Sequence, residues 1–407
     1  MRLLTEPDVA GPRPDGTTRV LVQRFTASFE YPVVFTHGVF SPRNPALADT
    51  LCRREPERRH RLFAVIDDGV ARAWPGLAAE IEAYARAHSK RLVLAAEPLL
   101  VPGGEAAKND PDGVARLQAG FHAVGLDRHS FVLIVGGGAV LDMAGYAAAT
   151  THRGLRTVRV PTTVLGQNDS GVGVKNGVNA FGSKNLFGTF SPPFAVFNDR
   201  RFLETLSPRD RAEGMAEAVK IALIRDRSFF EWLEAQAPRL RAFEADAVDA
   251  LIRRCAELHL QHIATSGDPF ESGSARPLDF GHWAAHKLET LTAHALRHGE
   301  AVAIGMALDS RYSVEAGLLE ASALDRICAV LEALGLPLWH EALLRPGPDG
   351  RREVLRGLEE FREHLGGELT LTLLRAIGQG IEVGDVSEDA FERALEWLRS
   401  RARPPRA

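Results

Sequence analysis

The stretch Phe131–Asn185 constrains this chain more than any other. It opens with Phe131-Val132-Leu133-Ile134-Val135, a run of β-formers continuous enough to be a strand buried on both faces. The run ends in Gly136-Gly137-Gly138 and passes into Ala139–Gly145, which reads as helix. Glycines at a strand-to-helix turn let a pyrophosphate approach backbone N–H groups at the positive end of a helix dipole. A loop rich in Gly, Asn and Ser follows and carries Asp169, Lys175, Lys184 and Asn185. A dinucleotide cradle followed by a cationic polar loop points to chemistry on a phosphorylated substrate beside a nicotinamide.

The remainder of the chain supports that reading. With 407 residues there is room for two sizeable cores. A net charge of −4 leaves no footprint for nucleic acid or an anionic membrane surface. Cys52, Cys255 and Cys328 are sparse and lack CxxC spacing, which fits a reducing compartment and no thiolate metal site. No stretch approaches a membrane span, and Met1–Pro7 lacks the apolar core of a signal peptide, so a cytoplasmic location is expected.

Residues 1–17 are Pro- and Gly-rich and are expected to be loosely held. From Arg19 to Phe35 the alternation predicts paired strands, broken near Glu30-Tyr31-Pro32. Leu62–Ile66 predicts a second buried strand closing on Asp67, where a carboxylate either meets a nucleotide ribose or caps a helix. A helix over 73–90, a strand at Arg91–Ala95, a turn carrying Glu105 and Lys108, and a helix near 111–125 follow. Glu105 and Lys108 stand one helical turn apart and are spaced to pair with each other. Alternating strand and helix predict a doubly wound parallel-sheet α/β half over 18–203. From 204 to 407 helical periodicity prevails, with helices at 209–225, 227–236, 246–265, 279–291, 298–316, 322–334, 351–364 and 388–401. Only Leu369–Leu374 reads as a strand there.

Two clusters in the helical half carry chemistry. In the first, Glu213 and Glu217 are i,i+4 on one predicted helix, with Lys220 a turn further on; Gly214, Ala216 and Ala218 between them imply close packing. In the second, four of the fourteen histidines fall between His282 and His298, with His282/His286 and His294/His298 each spaced i,i+4. Two histidines and a carboxylate form a set used by catalytic divalent-metal sites. Glu217 supplies a carboxylate, and spacing alone does not choose among the histidines.

Taken together, the motifs VGGGAVLDMAG, ATTHRG, VPTTVLGQNDSGVGVKNGVN, GSKNLFGTF, GMAEAVKIALI, FGHWAAHKLE and HGEAVAIGM resemble 3-dehydroquinate synthase and the wider family of sugar-phosphate cyclases. The resemblance covers roughly residues 60 to 380 and implies a role for each matching position. Glu217, His282 and His298 match ligands of a catalytic divalent metal, zinc or in some members cobalt. Gly137, Gly138, Asp142, Thr162 and Thr163 match contacts to NAD, with Asp67, Glu105 and Lys108 at its ribose and nicotinamide end. Asp169, Lys175, Lys184, Asn185 and Lys220 match substrate-binding positions, Lys220 and Asp169 standing among the reacting groups. His286 matches a histidine that supports proton transfer. Arg153 matches an arginine that reaches substrate phosphate from a neighbouring subunit, which implies a homodimer. The implied chemistry is transient oxidation by NAD, phosphate elimination, re-reduction and aldol closure of a phosphorylated sugar.

Departures from dehydroquinate synthase concentrate at the substrate. The family pattern near R-x-x-x-N-F-G-H is here Arg276-Pro277-Leu278-Asp279-Phe280-Gly281-His282, with the arginine shifted and the asparagine replaced by Asp279. A family lysine is missing from His259-Leu260-Gln261-His262, and another from Phe361–Gly367. Loss of cationic and amide groups disfavours a substrate carboxylate. Asp279 resembles the sedoheptulose 7-phosphate cyclases that make valiolone-type cyclitols, which lack the histidine matching His286. Two other readings compete: an iron-type alcohol or glycerol-1-phosphate dehydrogenase, and a non-catalytic nucleotide-binding relative.

Overall fold

The computed structural model describes residues 22–181, 183–265, 278–364 and 367–402. The expectations for residues 1–17 and for Arg276 lie outside the described residues.

The first half builds one parallel sheet from β1 (Val33–Thr36), β2 (His60–Asp67), β3 (Leu92–Leu94), β4 (Leu99–Val101), β5 (Phe131–Gly136), β6 (Arg156–Pro161) and β9 (Ala195–Asp199). The strand order is β1-β9-β6-β5-β2, and β3 and β4 pair end to end along the free side of β2. Side-chain alternation explains why β2 and β5 read as unbroken apolar runs. Leu62, Ala64, Ile66, Leu133 and Val135 enter one core layer, and Phe63, Val65, Val132 and Ile134 enter the layer on the opposite face. Fully burying each of these side chains other than Ala64 contributes about 1.5–3 kcal/mol. Helices α1 (Ala46–Cys52), α2 (Asp68–Ala73), α3 (Leu77–Ala87), α4 (Ala106–Asn109), α5 (Gly113–Ala123) and α6 (Gly138–Thr150) form the connections, α3 lining one layer and α5 and α6 the other. This is the expected doubly wound sheet.

Several local expectations change. Of the paired strands predicted over 19–35, the described part from 22 to 32 contains none; β1 alone forms, joined parallel to β9 at the sheet edge. The helix predicted over 73–90 is the shorter α3, which starts after Pro75; residue 73 instead ends α2, which was not expected. The glycine-rich loop is in part an antiparallel hairpin, β7 (Lys175–Ala180) with β8 (Ser183–Phe190). Before it, Gly166–Ser170 winds as a π-helix, closed by the Gly171 N–H donating to the Gly166 carbonyl at 2.9 Å.

The second half is mainly helical: α7 (Pro208–Glu213), α8 (Ala216–Arg225), α9 (Arg227–Arg241), α10 (Ala245–Thr265), α11 (His282–Leu291), α12 (His298–Glu315), α13 (Ala321–Ala333), α14 (Arg356–His364) and α15 (Glu388–Ala402). These share one large core with the hairpin β10 (Leu371–Ala376) and β11 (Gln379–Val383). The helix expected over 209–225 is broken at Gly214-Met215, so Glu213 and Glu217 do not share a helical face. The break has a tertiary cause: a Cβ on Gly214 would lie 2.6 Å from the Leu165 backbone nitrogen, and Asn168 donates to the Gly214 carbonyl at 2.7 Å. The helices expected from 279 and 351 begin later, at His282 and Arg356, the second preceded by a 3-10 turn at Glu353–Leu355. Among the described residues no helix is long and apolar enough to cross a membrane.

Candidate active site

Three side chains converge between α8, α11 and α12. Glu217 is buried at the start of α8, and its Oε1 lies 3.6 Å from His282 Nε2 and 3.4 Å from His298 Nε2. Ligand atoms of the three all lie within 4.8 Å of one another. His282 opens α11 after Gly281, which takes φ 78°, and its Nδ1 lies 3.1 Å from the Phe280 carbonyl. A proton on Nδ1 bonded to that carbonyl leaves the Nε2 lone pair directed toward the centre. Burial, with Lys220, His286 and His298 nearby, pushes His282 well below the usual histidine range, so the imidazole is neutral, as ligation requires. Burial would raise the Glu217 carboxyl, but Lys220 and His298 hold it down at about 2. Glu217 Oε2 carries the ion pair with Lys220, and Oε1 faces the two imidazoles. Two imidazole nitrogens facing a buried, ionised carboxylate oxygen suit a divalent ion such as zinc, and the residues fit the group.

Lys220 lies against Glu217 as an ion pair, buried on α8. Burial opposes its charge, yet the carboxylates of Glu217 and Asp169 raise its pKa above the ordinary lysine value. Asp169 sits on the π-helix and meets His259 Nδ1 of α10 at 2.7 Å. Burial would raise the Asp169 carboxyl, and His259 outweighs it and lowers it. Asp279, in the turn before α11, places further negative charge near Lys220.

The π-helix also touches the glycine turn. A Cβ on Gly138 would lie 2.8 Å from Ser170 Oγ, and one on Gly137 would lie 3.4 Å from Thr163 Cγ2. Gly137 precedes α6 with no side-chain cap, so the first N–H groups of this 13-residue helix are left for a ligand. The Gly138 turn thus abuts Ser170, the neighbour of Asp169, and the Asp169 carboxylate acts electrostatically on Lys220, which is paired with Glu217. Thr162 is buried just past the end of β6. Asp67 ends β2 and caps α2, accepting from the N–H groups of Gly69 at 2.8 Å and Val70 at 3.4 Å; burial raises its carboxyl. Asp67 Oδ1 therefore caps α2.

Glu105 and Lys108 do not pair with each other. The Lys108 ammonium, 6% exposed, bonds Asp142 Oδ2 at 2.8 Å and also reaches Asn185 Oδ1. Glu105 accepts from Asn179 at 2.9 Å and lies 3.9 Å from Lys184. Lys175 is exposed at the start of β7, and Asn185 takes φ 51° on β8. Arg153 follows α6 at φ 61°. His286 is exposed on α11, its ring stacked 6.3 Å from that of His298. His294, the other candidate, lies in the turn between α11 and α12 and is not on a helix with His298.

Sequence reasoning missed two residues. Glu289, buried on α11, bonds Lys184 at 2.7 Å and faces His298 Nδ1 at 3.5 Å. Its signal was available: His282, His286 and Glu289 stand at i, i+4 and i+7 on one face. His259 was noted only as the place where a lysine is missing; its partnership with Asp169 is long-range and carries no local signal.

Residues 98–213 match the family model for the 3-dehydroquinate synthase N-terminal part, and residues 214–349 match that for its C-terminal part. The chain belongs to the 3-dehydroquinate synthase-like family of sugar-phosphate cyclases. It is 40% identical over 270 residues to the 3-dehydroquinate synthase of Halorhodospira halophila, covering 66% of this chain and 74% of the relative. It is 34% identical over 386 residues to the 2-epi-5-epi-valiolone synthase of Streptomyces glaucescens, covering 92% of each. The solved 2-epi-5-epi-valiolone synthase of Streptomyces hygroscopicus subsp. jinggangensis, with NAD+ and Zn2+ bound, superposes with a TM-score of 0.82 at 32% identity. That match covers 93% of this chain and 100% of the other. As a cyclase-family chain, it retains the metal-type group and the glycine turn together, the combination expected from its motifs.

Proposed function

We propose that this cyclase-family chain converts a phosphorylated C7 sugar to a carbocycle with release of inorganic phosphate, a net carbon–oxygen lyase reaction. The observation that carries the reading is the convergence of Glu217, His282 and His298 within 4.8 Å, in the same chain as a glycine turn that abuts the π-helix carrying Asp169. Glu217, His282 and His298 would hold a divalent ion, zinc or cobalt. Gly137, Gly138, Asp142, Thr162 and Thr163, with Asp67, Glu105 and Lys108, would hold NAD. When bound, NAD takes and returns a hydride, and the ion lowers the barrier to forming an alkoxide.

The chain's own groups divide the rest of the work. Lys220, kept protonated between two carboxylates, stabilises negative charge developing on a substrate oxygen. Asp169, oriented by His259, accepts a substrate hydroxyl. His286 exchanges a proton with substrate from its exposed position over the His298 ring. Lys175, Lys184 and Asn185 on the hairpin, with Arg153 and Arg276, bind phosphate and hydroxyl oxygens. Asp279 adds negative charge beside Lys220, which supports a sedoheptulose 7-phosphate-type substrate, without a carboxylate, over a carboxylated heptulosonate. The 92% coverage of the valiolone synthase relative supports the same choice.

We further propose a cytoplasmic homodimer in which Arg153 completes the neighbouring subunit's phosphate site. Phe181, Leu186, Phe187 and Phe190 on the hairpin are exposed, a patch that supports cover by a second copy. Light scattering on the purified protein tests this, and a monomer at micromolar concentration rules it out.

The activity test incubates the protein with sedoheptulose 7-phosphate and 3-deoxy-arabino-heptulosonate 7-phosphate in parallel. Phosphate release and absorbance at the NADH wavelength are followed together. The expected result is phosphate release from the first sugar with no net NADH. Stoichiometric NADH without phosphate release would instead make the chain a dehydrogenase.

A further inference from the structure

Glu289 is a buried carboxylate that the roles above leave without a task. It stands on α11 on the face that carries His282 and His286, with its side chain 4% exposed. Oε1 accepts from Lys184 Nζ at 2.7 Å, which crosses from the hairpin strand β8 to the helical half. Oε2 is buried, has no hydrogen-bond partner among the described residues, and lies 3.5 Å from His298 Nδ1. A buried carboxylate oxygen without a donor is costly. The donor within reach is the imidazole N–H that His298 presents on Nδ1 when Nε2 faces Glu217. Burial would raise the Glu289 carboxyl, yet His298 and Lys184 hold it well below the carboxylate range.

We propose that Glu289 is a positioning residue that orients the His298 imidazole through Nδ1 so that Nε2 is aimed at a bound divalent ion, and that it links this ion to Lys184 of the hairpin. Carboxylates behind metal-ligating histidines fix the tautomer and raise ligand basicity. Here the same carboxylate also neutralises a cation on the substrate-binding hairpin. A phosphate that draws Lys184 away therefore changes the charge that His298 feels. The inference rests on reading Glu217, His282 and His298 as metal ligands.

The test measures zinc affinity of the full chain, stripped of metal and titrated against a chromophoric chelator, so no substrate is needed. Glu289→Gln keeps the side-chain shape and is expected to weaken zinc binding about 10–100-fold with the far-UV dichroism retained. Lys184→Met is expected to shift zinc affinity about threefold or more in the native background and to leave it unchanged in the Glu289→Gln background. Glu289→Asp, which withdraws the carboxylate by one methylene, is expected to weaken binding too and serves if the glutamine variant does not fold. Zinc affinity of Glu289→Gln within about twofold of the native chain overturns the proposal, and so does an equal Lys184→Met effect in both backgrounds. His298→Ala is the control: if it keeps native zinc affinity, the ligand set is wrong, a failure distinct from that of Glu289.

Discussion

Gly305 and Gly281 meet backbone to backbone: a Cβ on Gly305 would overlap the Gly281 carbonyl, and one on Gly281 would lie 2.7 Å from the Met306 nitrogen. Gly281 immediately precedes His282, and Gly305 lies two turns after His298, so this contact sets how closely α11 and α12 bring their histidines together. Gly305→Ala has no flexible side chain to push aside. It is expected to destabilise the fold by about 1–3 kcal/mol, read by urea unfolding, and to weaken zinc binding as the donors spread. Native zinc affinity in this variant would mean that the spacing is set elsewhere.

Removing a donor acts more directly. Glu217→Gln and His282→Ala are each expected to lower zinc affinity by more than about 100-fold, beyond what changes behind the ligands cost. Equilibrium dialysis against zinc gives the answer, and metal retention by either variant removes that residue from the set.

Arg159 is fully buried on β6, and its guanidinium donates to the carbonyls of Gly171, Gly173 and Lys175 and to Asn176 Oδ1. One side chain thus holds the segment that joins Asp169 to the hairpin. Arg159→Met leaves those acceptors without donors, at about 1–3 kcal/mol for each that water does not reach. The expected outcome is faster proteolysis within 171–176 at unchanged zinc affinity. Native protease resistance would show that the hairpin ladder alone fixes the segment.

Asp309 of α12 is buried and accepts from Trp283 Nε1 at 2.8 Å and from the Gly281 N–H at 2.9 Å, on either side of His282. Burial outweighs both bonds and pushes its carboxyl up to about 7. A group raised above its unfolded value near 4 contributes stability that is fully present below that value. The contribution is lost as pH rises through about 7. Asparagine at this position does not titrate. The stability of the native chain relative to Asp309→Asn should therefore fall as pH is raised from about 4 to about 7, and level off beyond. Urea unfolding of both at several pH values, with chelator present throughout, measures the difference. A constant difference would place the Asp309 pKa at its unfolded value.

How much of this was legible in the sequence depended on where the cause lay. β2 and β5 were readable because burial on two faces writes itself as an unbroken apolar run. The metal-type group was legible through the family motifs rather than spacing, since i,i+4 pairs offered His286 and His294 equally and His294 proves to lie off the helix that carries His298. The β7–β8 hairpin was not, because its glycines and asparagines carry no strand signal; the ladder between the strands holds it, with Gly145 of α6 left bare so that Asn176 can approach. The interruption at Gly214 was hidden for a similar reason, since Val164, Leu165 and Asn168 impose it from a distant stretch. Residues 22–32 erred the other way: their alternation resembles strands, but they stand mostly exposed, with little to pair against.

The π-helix at Gly166–Ser170 has a consequence for length. Its wide turn holds one residue more than an α-turn would between β6 and the hairpin. Deleting a single residue there would let the segment relax to α-geometry and swing Asp169 by about 100° around the local axis. The carboxylate would leave His259, with every side chain of the site still encoded. Chain length between Pro161 and Lys175 is therefore as much a part of this site as any of its charges, and an insertion or deletion there should silence it as surely as losing a donor.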